Sequence, residues 1–376
     1  MTTKINNEHK KVYVPNLRFP EFQGEWHSFL INEICSEFKS GKNIKADSIS
    51  ENGEYPVFGG NGLRGYTASY NHEGLYVLIG RQGALCGNVR SVNGKTYITE
   101  HAIAAAGNEK SNTSFLHYLF IKMNLGQYSD QSAQPGLAVN KLLKLKVSLP
   151  PISEQKKIAK LLSLLDERIA TQNKIIEDLK KLKCAIIEKV YSEIQGKEYS
   201  YGQLFDVVNE RNKQMEYSNI LSASQEKGMV NRDDLNLDIQ FERSNINTYK
   251  IVRKGDYVIH LRSFQGGFAF SDKLGVCSPA YTILRPNSLL EYGYLSNYFT
   301  SQRFIKSLVL VTYGIRDGRS INVDEWLRMK ITIPPKEHQQ YIVKVIGTFE
   351  RKIKDEEAYA AQLSIQKQYL LRQMFI

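Results

Sequence analysis

Leu137-Ala-Val-Asn-Lys-Leu-Leu-Lys-Leu-Lys-Val-Ser-Leu-Pro-Pro151 returns 184 residues later as Ile321-Asn-Val-Asp-Glu-Trp-Leu-Arg-Met-Lys-Ile-Thr-Ile-Pro-Pro335. Four of the ten prolines lie in these two Pro-Pro pairs. The register then runs without a gap to the last residues: Gln155 meets Gln339, Ile158 meets Ile342, Lys183 meets Lys367 and Tyr191 meets Phe375. A repeat of this length implies two copies of one structural unit. Upstream the copies diverge. Tyr76-Val-Leu-Ile resembles Tyr257-Val-Ile-His, each with an arginine soon after (Arg81, Arg262), and Gln23-Gly24 before Trp26 resembles Gln195-Gly196 before Tyr199. Equivalent units require the N-terminal segment to lie where the second copy ends, so the chain is expected to be nearly circular.

After each Pro-Pro the apolar period changes. Ile158, Leu162, Leu165, Ile169, Ile176, Leu179 and Ile186 recur at alternating three- and four-residue steps, and so do Ile342, Ile346, Phe349, Ile353, Leu363 and Leu370. That is a heptad seam, interrupted at matching places by Gln172 and Glu356, then by Lys183 and Lys367. Ser153 suits an N-cap, and Glu337 suits the first turn of the second helix. About 40 residues at ~1.5 Å each give a rod of roughly 60 Å. Because one helix leaves the first globular segment and the other returns to it, the two are expected to pair antiparallel, with the polar seam positions fixing register.

The predicted organisation is therefore a loose tail (1–15), a globular domain (16–149), a helical region (150–196), a second globular domain (197–333) and a second helical region (334–376). The globular segments read as mixed α/β (α+β). Short β-branched and aromatic runs at Leu75–Ile79, Thr96–Thr99, Lys250–Val252, Tyr257–Leu261 and Ala280–Leu284 are bounded by Gly, Asn and Pro. Phe115–Met123 and Tyr292–Leu308 have helical spacing, and the turn-rich stretches Phe58–Gly65 and Tyr313–Ser320 are expected to lie between elements.

Lys and Arg outnumber Asp and Glu by 50 to 39, a net +11 with pI near 9.2, which favours an anionic partner. Cys35, Cys86, Cys184 and Cys277 are scattered, with no zinc or disulfide pattern, which fits a cytoplasmic protein. No stretch approaches the ~20 apolar residues of a membrane span, and Met1–Lys11 has no signal-peptide core.

Catalytic and cofactor motifs fail on inspection. Gly60-Asn-Gly-Leu-Arg-Gly65 fits a dinucleotide loop, yet the next segment, Tyr66-Thr-Ala-Ser-Tyr-Asn-His72, does not read as a helix. Gly94-Lys95-Thr96 lacks the upstream glycine of a phosphate loop. The seven histidines form no HxxxH pair, and no metal site is expected. Glu100-His101 reads as a structural pair before an acid–base one. No nucleophile, base and oxyanion site assembles, so the chain reads as non-catalytic.

Several stretches resemble a known family. Leu149-Pro-Pro-Ile-Ser-Glu-Gln-Lys-Lys-Ile158 is similar to the opening of the first conserved helix in specificity subunits of type I restriction–modification enzymes. Ile333-Pro-Pro-Lys-Glu-His-Gln-Gln-Tyr-Ile342 is a looser copy, with His338 where Glu is commoner. Leu17-Arg-Phe-Pro-Glu-Phe-Gln-Gly-Glu-Trp26 resembles the start of such subunits. Tyr55-Pro-Val-Phe-Gly-Gly-Asn-Gly62, Tyr76-Val-Leu-Ile-Gly-Arg-Gln-Gly83 and Thr99-Glu-His-Ala-Ile103 resemble one type of target-recognition domain.

The resemblance implies two target-recognition domains separated by a long antiparallel two-helix coiled coil with pseudo-two-fold symmetry. Each domain would read one half of a bipartite asymmetric site in double-stranded DNA. The helices would set the gap, with half-site centres ~10 bp apart, and would dock two methyltransferase subunits. Restriction and translocation subunits would join that core. S-adenosylmethionine, ATP and Mg2+ would sit on those partners, with no cofactor in this chain. The expected DNA contacts are Asn61, Arg64, Arg81, Gln82 and Gln134 in the first domain, and Arg262, Gln265, Arg316 and Arg319 in the second. Arginine pairs with guanine, and Asn or Gln with adenine. Two other functions fit less of the sequence: service to a stand-alone methyltransferase or type II-like nuclease, and a coiled-coil scaffold that binds proteins.

Overall fold

The computed structural model describes residues 14–130, 136–224, 227–234, 243–314 and 319–376. The chain divides into two compact units, Met1–Asn173 with Ala358–Ile376, and Lys174–Glu357.

In the first unit, strand His27–Leu30 runs antiparallel to Lys146–Leu149, with His27 opposite Leu149. A four-stranded antiparallel sheet follows in the order Cys35–Ser40, Ala102–Gly107, Tyr76–Gly80, Val89–Val92. Its inner strand is buried on both faces, which explains the unbroken apolar run Val77-Leu-Ile79. Val77 and Ile79 join the core built on helix Thr113–Met123, while Leu78 packs with Ile98 and Ala104 on the other side. That helix starts at Asn112, whose side chain accepts from the Phe115 N–H, and ends at Asn124 in a left-handed conformation. A second sheet, in the order Gly62–Thr67, Tyr55–Gly59, Lys95–Ile98, His72–Glu73, contains one parallel pair, Val57 with Tyr97.

The second unit repeats this frame. Lys197–Ser200 pairs with Lys330–Ile333, and a four-stranded sheet runs in the order Phe205–Val208, Thr282–Pro286, Tyr257–Ile259, Ala269–Phe270. The strands carrying the Tyr76 and Tyr257 motifs thus hold the same place in their sheets. The remaining strands do not repeat: the second unit has separate two-stranded pairs in place of the second sheet. Its core is aromatic, with Trp326 stacked 4.3 Å from Tyr201 and packed against Phe268 and Phe299. The expected helix over Tyr292–Leu308 is broken. Ser301, at φ −70° and ψ 150°, leaves the helical region and caps a new short helix, Gln302–Ser307, through its bond from the Phe304 N–H.

The strand before each Pro-Pro stops at Leu149 or Ile333, and a long helix begins at Ile152 or Lys336. The helices run to Ser192 and Gln373. Ser153 is inside the first turn and is not the cap, because the Gln155 N–H already bonds to the Pro151 carbonyl. Gln155 and Gln339 perform one task twice. Gln155 Nε2 donates to the Pro150 and Lys110 carbonyls, and its Oε1 accepts from the Asn112 N–H. Gln339 Nε2 donates to the Pro334 and Leu289 carbonyls, and its Oε1 accepts from the Glu291 N–H.

The helices pair antiparallel inside each unit. In the first unit, Lys367 lies 2.5 Å from Asp166, which also accepts from the Tyr118 hydroxyl at 2.9 Å. In the second unit, Lys183 lies 3.0 Å from Glu350. These pairs are related by the same 184-residue shift that relates the sequences.

Among the seam residues, Ile158, Leu162, Ile176, Ile346, Ile353 and Leu363 are buried, and Leu165, Ile169, Leu179, Ile342 and Phe349 are half-buried. Towards the end of each helix the buried side chain is Ile187 rather than Ile186, and Leu371 rather than Leu370. From Ile158 to Ile187, and from Ile342 to Leu371, is 29 residues, or about eight turns at 3.6 residues each. The stripe therefore keeps the α-helical period, and a strict heptad falls one residue behind it.

The N-terminal segment lies at the end of the second helix. The Leu17 N–H bonds to the Gln373 carbonyl at 2.9 Å, and Phe375 packs against Trp26 and Phe115. The strand register equates His27 with Lys197, so Trp26 corresponds to Gly196, and the Gln-Gly likeness is displaced by two residues. No helix of the described residues is long and apolar enough to cross a membrane.

One titrating group reports on the first unit. Burial, with a smaller push from Lys367, lowers the pKa of His117 from 6.5 to about 4. The unfolded chain therefore takes up this proton first as pH falls. The stabilisation is complete above about pH 6.5 and is lost between there and pH 4, by roughly 3 kcal/mol. Urea titrations of the first unit's transition at pH 7 and pH 4.5 should show this loss, and His117→Leu should flatten it. An unchanged slope in His117→Leu would mean that another group is responsible.

Candidate nucleic-acid interface

In the first unit the stretch Phe58–Gly65 is not a loop but the heart of a hairpin, Tyr55–Gly59 with Gly62–Thr67, closed by Gly59 opposite Gly62. Alternating glycines hid the strand: they supply positive φ (+107° at Gly62, +143° at Gly65), which the chain needs to turn and bulge. Asn61 is exposed at the turn, and Arg64 is exposed on the returning strand. The absence of side chains in the turn makes room for arginines. A Cβ on Gly62 would lie 2.3 Å from Arg90 Nη1, and one on Gly59 would lie 2.9 Å from Arg64 Cδ. Paired positions on a hairpin share a face, so both arginines line the same side.

Arg81 follows the inner strand of the four-stranded sheet. Its N–H bonds to the His101 carbonyl, its carbonyl accepts from the Leu137 N–H, and its Nη1 reaches the Glu100 carbonyl only at 3.5 Å. Gln82 is exposed, with Oε1 placed 3.1 Å from His101 Nδ1, while His101 Nε2 faces Glu100 Oε1 at 3.2 Å. Glu100 and His101 thus belong to a side-chain chain that holds Gln82. Buried atoms without a hydrogen-bond partner gather here: Nε of Arg81 and Arg90, Oγ1 of Thr99 and Oε2 of Glu100. Gln134 lies outside the described residues.

In the second unit, Arg262 stands at the same point in its sheet as Arg81. It precedes the short helix Ser263–Gly266 and donates its N–H to His260 Nδ1 at 3.3 Å. Gln265 is exposed on that helix. The turn-rich stretch from Tyr313 to Ser320 lies between paired strands, Thr312–Tyr313 and Ser320–Ile321, with 315–318 outside the described residues. Arg319, just before the strand Ser320–Ile321, lines a cleft of about 340 Å³ with His260, Leu261, Phe264, Ala280 and Ile321. Arg316 lies outside the described residues. An arginine and an exposed glutamine therefore stand beside the inner-strand end in both units, Arg81 half-buried and Arg262 exposed, and these are side chains that can read purine edges in a major groove. Among the described residues no acidic, His or Cys cluster could hold a metal.

Arg90 was not among the sequence-derived contacts. It sits in an ordinary strand, Val89–Val92, and reaches Gly62 only because two sheets pack together. No local pattern reports such a contact.

The family model for the type I restriction modification DNA specificity domain matches this chain twice, over residues 23–181 and 196–364. The Escherichia coli protein "Type I restriction enzyme EcoprrI specificity subunit" is 44% identical over 154 residues, 40% of this chain and 38% of that protein. The chain thus spans well under two thirds of that relative. The Haemophilus influenzae protein "Putative type I restriction enzyme specificity subunit S.HindORF215P" is 25% identical over 351 residues, 87% of each chain. The solved S subunit of a type I restriction-modification system from M. genitalium superposes with a TM-score of 0.62 at 15% identity, covering 96% of this chain and 99% of that one. A solved chain described for assembly and conformational transition of the type I R-M system gives 0.57, covering 94% and 98%. These structures share the fold.

Proposed function

Because the chain belongs to the type I restriction–modification DNA specificity family, we propose that each of its units reads one half of a bipartite, asymmetric DNA site. The observation that carries this reading is the double match of the DNA specificity domain, one copy per repeat. As a specificity subunit the chain supplies sequence recognition and no catalysis. The two units keep one frame and differ in the elements beside their exposed arginines, as two readers of different sequences need.

In this reading the paired helices set the gap between half-sites. Two methyltransferase subunits dock on the repeated helical surfaces, and restriction and translocation subunits complete the complex. S-adenosylmethionine, ATP and Mg2+ belong to those partners. The proposed contacts are Asn61, Arg64, Arg81 and Gln82, now with Arg90, in the first unit, and Arg262, Gln265 and Arg319 in the second. Gln134 and Arg316 remain proposed on sequence grounds. The proposed domain limits are 16–149 and 197–333, with helical regions 150–196 and 334–376.

The test is binding of a two-part duplex by the assembled complex. Arg262→Ala should weaken binding about 10-fold or more and relax one half-site only. Arg81→Ala should do the same for the other half. A uniform loss with a shallower salt dependence would assign these side chains to phosphates. No loss from either change would remove them from the interface.

A further inference from the structure

The cleft in the second unit sets apolar side chains beside polar ones. Leu261 is 69% exposed, and Phe264, Ala280 and Ile321 line the same cleft. The polar lining is His260, Thr282, Arg319 and Ser320. His260 is neutral at physiological pH: its Nδ1 accepts from the Arg262 N–H, and burial lowers its pKa. Arg319 is therefore the charge in the lining, and Arg262 and Gln265 flank it on the adjoining turn.

An exposed leucine that shares a cleft with Arg319, and lies next to Arg262 in the chain, is matched by a partner that offers an apolar group beside an anionic one. The major groove supplies that combination. The C5-methyl group of thymine projects from a base edge between two phosphate backbones, and apolar side chains recognise it by contact. An apolar protein partner would not require the flanking cations.

We propose that the second unit reads a thymine in its half-site through the C5-methyl group, with Leu261 as the specificity-determining contact, Phe264 as the cleft wall, and Arg319 and Arg262 engaging the neighbouring bases or backbone. The inference rests on the DNA-reading role proposed above. It requires a T·A pair at a fixed position of the half-site that depends on Arg262.

The test uses the assembled complex and a duplex carrying its methylation site. Each thymine of that half-site, on either strand, is replaced in turn by deoxyuridine, which lacks only the methyl group. One replacement should weaken binding about 5-fold, the size of one buried methyl contact. Leu261→Ala should weaken binding to the thymine duplex by a similar factor and abolish the difference between thymine and uracil at that position. The exposure of Leu261 makes a folding defect an inadequate explanation, and Leu261→Gln serves as a second variant with the same expectation.

Three results would overturn the inference: a half-site without thymine, deoxyuridine tolerated at every position, or a Leu261→Ala loss equal on thymine and uracil duplexes. The last would assign Leu261 to an apolar contact other than the methyl group. Scrambling the half-site provides the control. If scrambling abolishes binding while deoxyuridine does not, the DNA-reading role stands and only the methyl contact falls.

Discussion

Replacing Arg18 by Met should destabilise the first unit by about 3–5 kcal/mol. Glu154 is fully buried at the start of the first long helix, and Arg18 grips it with two bonds, Nε to Oε1 at 2.8 Å and Nη2 to Oε2 at 2.7 Å. Removing the guanidinium leaves a buried carboxylate with no counter-charge. The loss would appear in urea denaturation as a lower midpoint for the transition of the first unit. The double change Arg18→Met with Glu154→Leu should recover most of it, since the cost lies in stranding the charge rather than in losing the pair. The second unit supplies a control. His338 stands where Glu154 does, and it is exposed, so His338→Ala should shift stability by less than about 0.5 kcal/mol. An Arg18→Met protein as stable as the parent would show that Glu154 finds water or another partner.

The second large effect is expected at the two glutamines. Gln155 and Gln339 are 0% and 1% exposed. Each joins the Pro-Pro turn at its own helix start to a backbone N–H and a carbonyl of its globular unit. Leucine fills the same volume and strands three backbone groups, one of them fully buried, for roughly 3 kcal/mol. Gln155→Leu should lower the transition of the first unit, and Gln339→Leu that of the second, by similar amounts. A large effect in one and none in the other would break the equivalence of the two copies. These side chains explain why a glutamine recurs after each Pro-Pro: it is the joint between globular unit and helix.

Most of the frame was legible in the sequence because it is made of local signals. Two Pro-Pro breaks, a change of apolar period and a gapless repeat define the long helices. The pairing of Lys183 and Lys367 across the repeat becomes two symmetry-related ion pairs, with Glu350 and Asp166. The one-residue drift to Ile187 and Leu371 was not legible, because alternating three- and four-residue steps describe a heptad as well as an α-helical stripe over a few turns.

Glycine misled the reading of Phe58–Gly65, where Gly62 and Gly65 belong to a strand that bulges. The break at Ser301 escaped because apolar spacing continues through it while the backbone does not. Arg64 lies on a hairpin strand and Arg319 directly precedes one, so these two proposed contacts stand on or beside strands. Arg90 and the Leu261 cleft come from tertiary packing and carry no sequence signature.

On the proposed function, one chain reads two separate DNA words, one per unit. Mapping every methylated position made by the complex, with the parent chain and with an Arg262→Ala, Arg319→Ala chain, tests it most directly. The expected motif has two specified blocks around an unspecified gap, and the variant motif is relaxed in one block with the other block and the gap unchanged. A single uninterrupted motif, or relaxation of both blocks together, would contradict it.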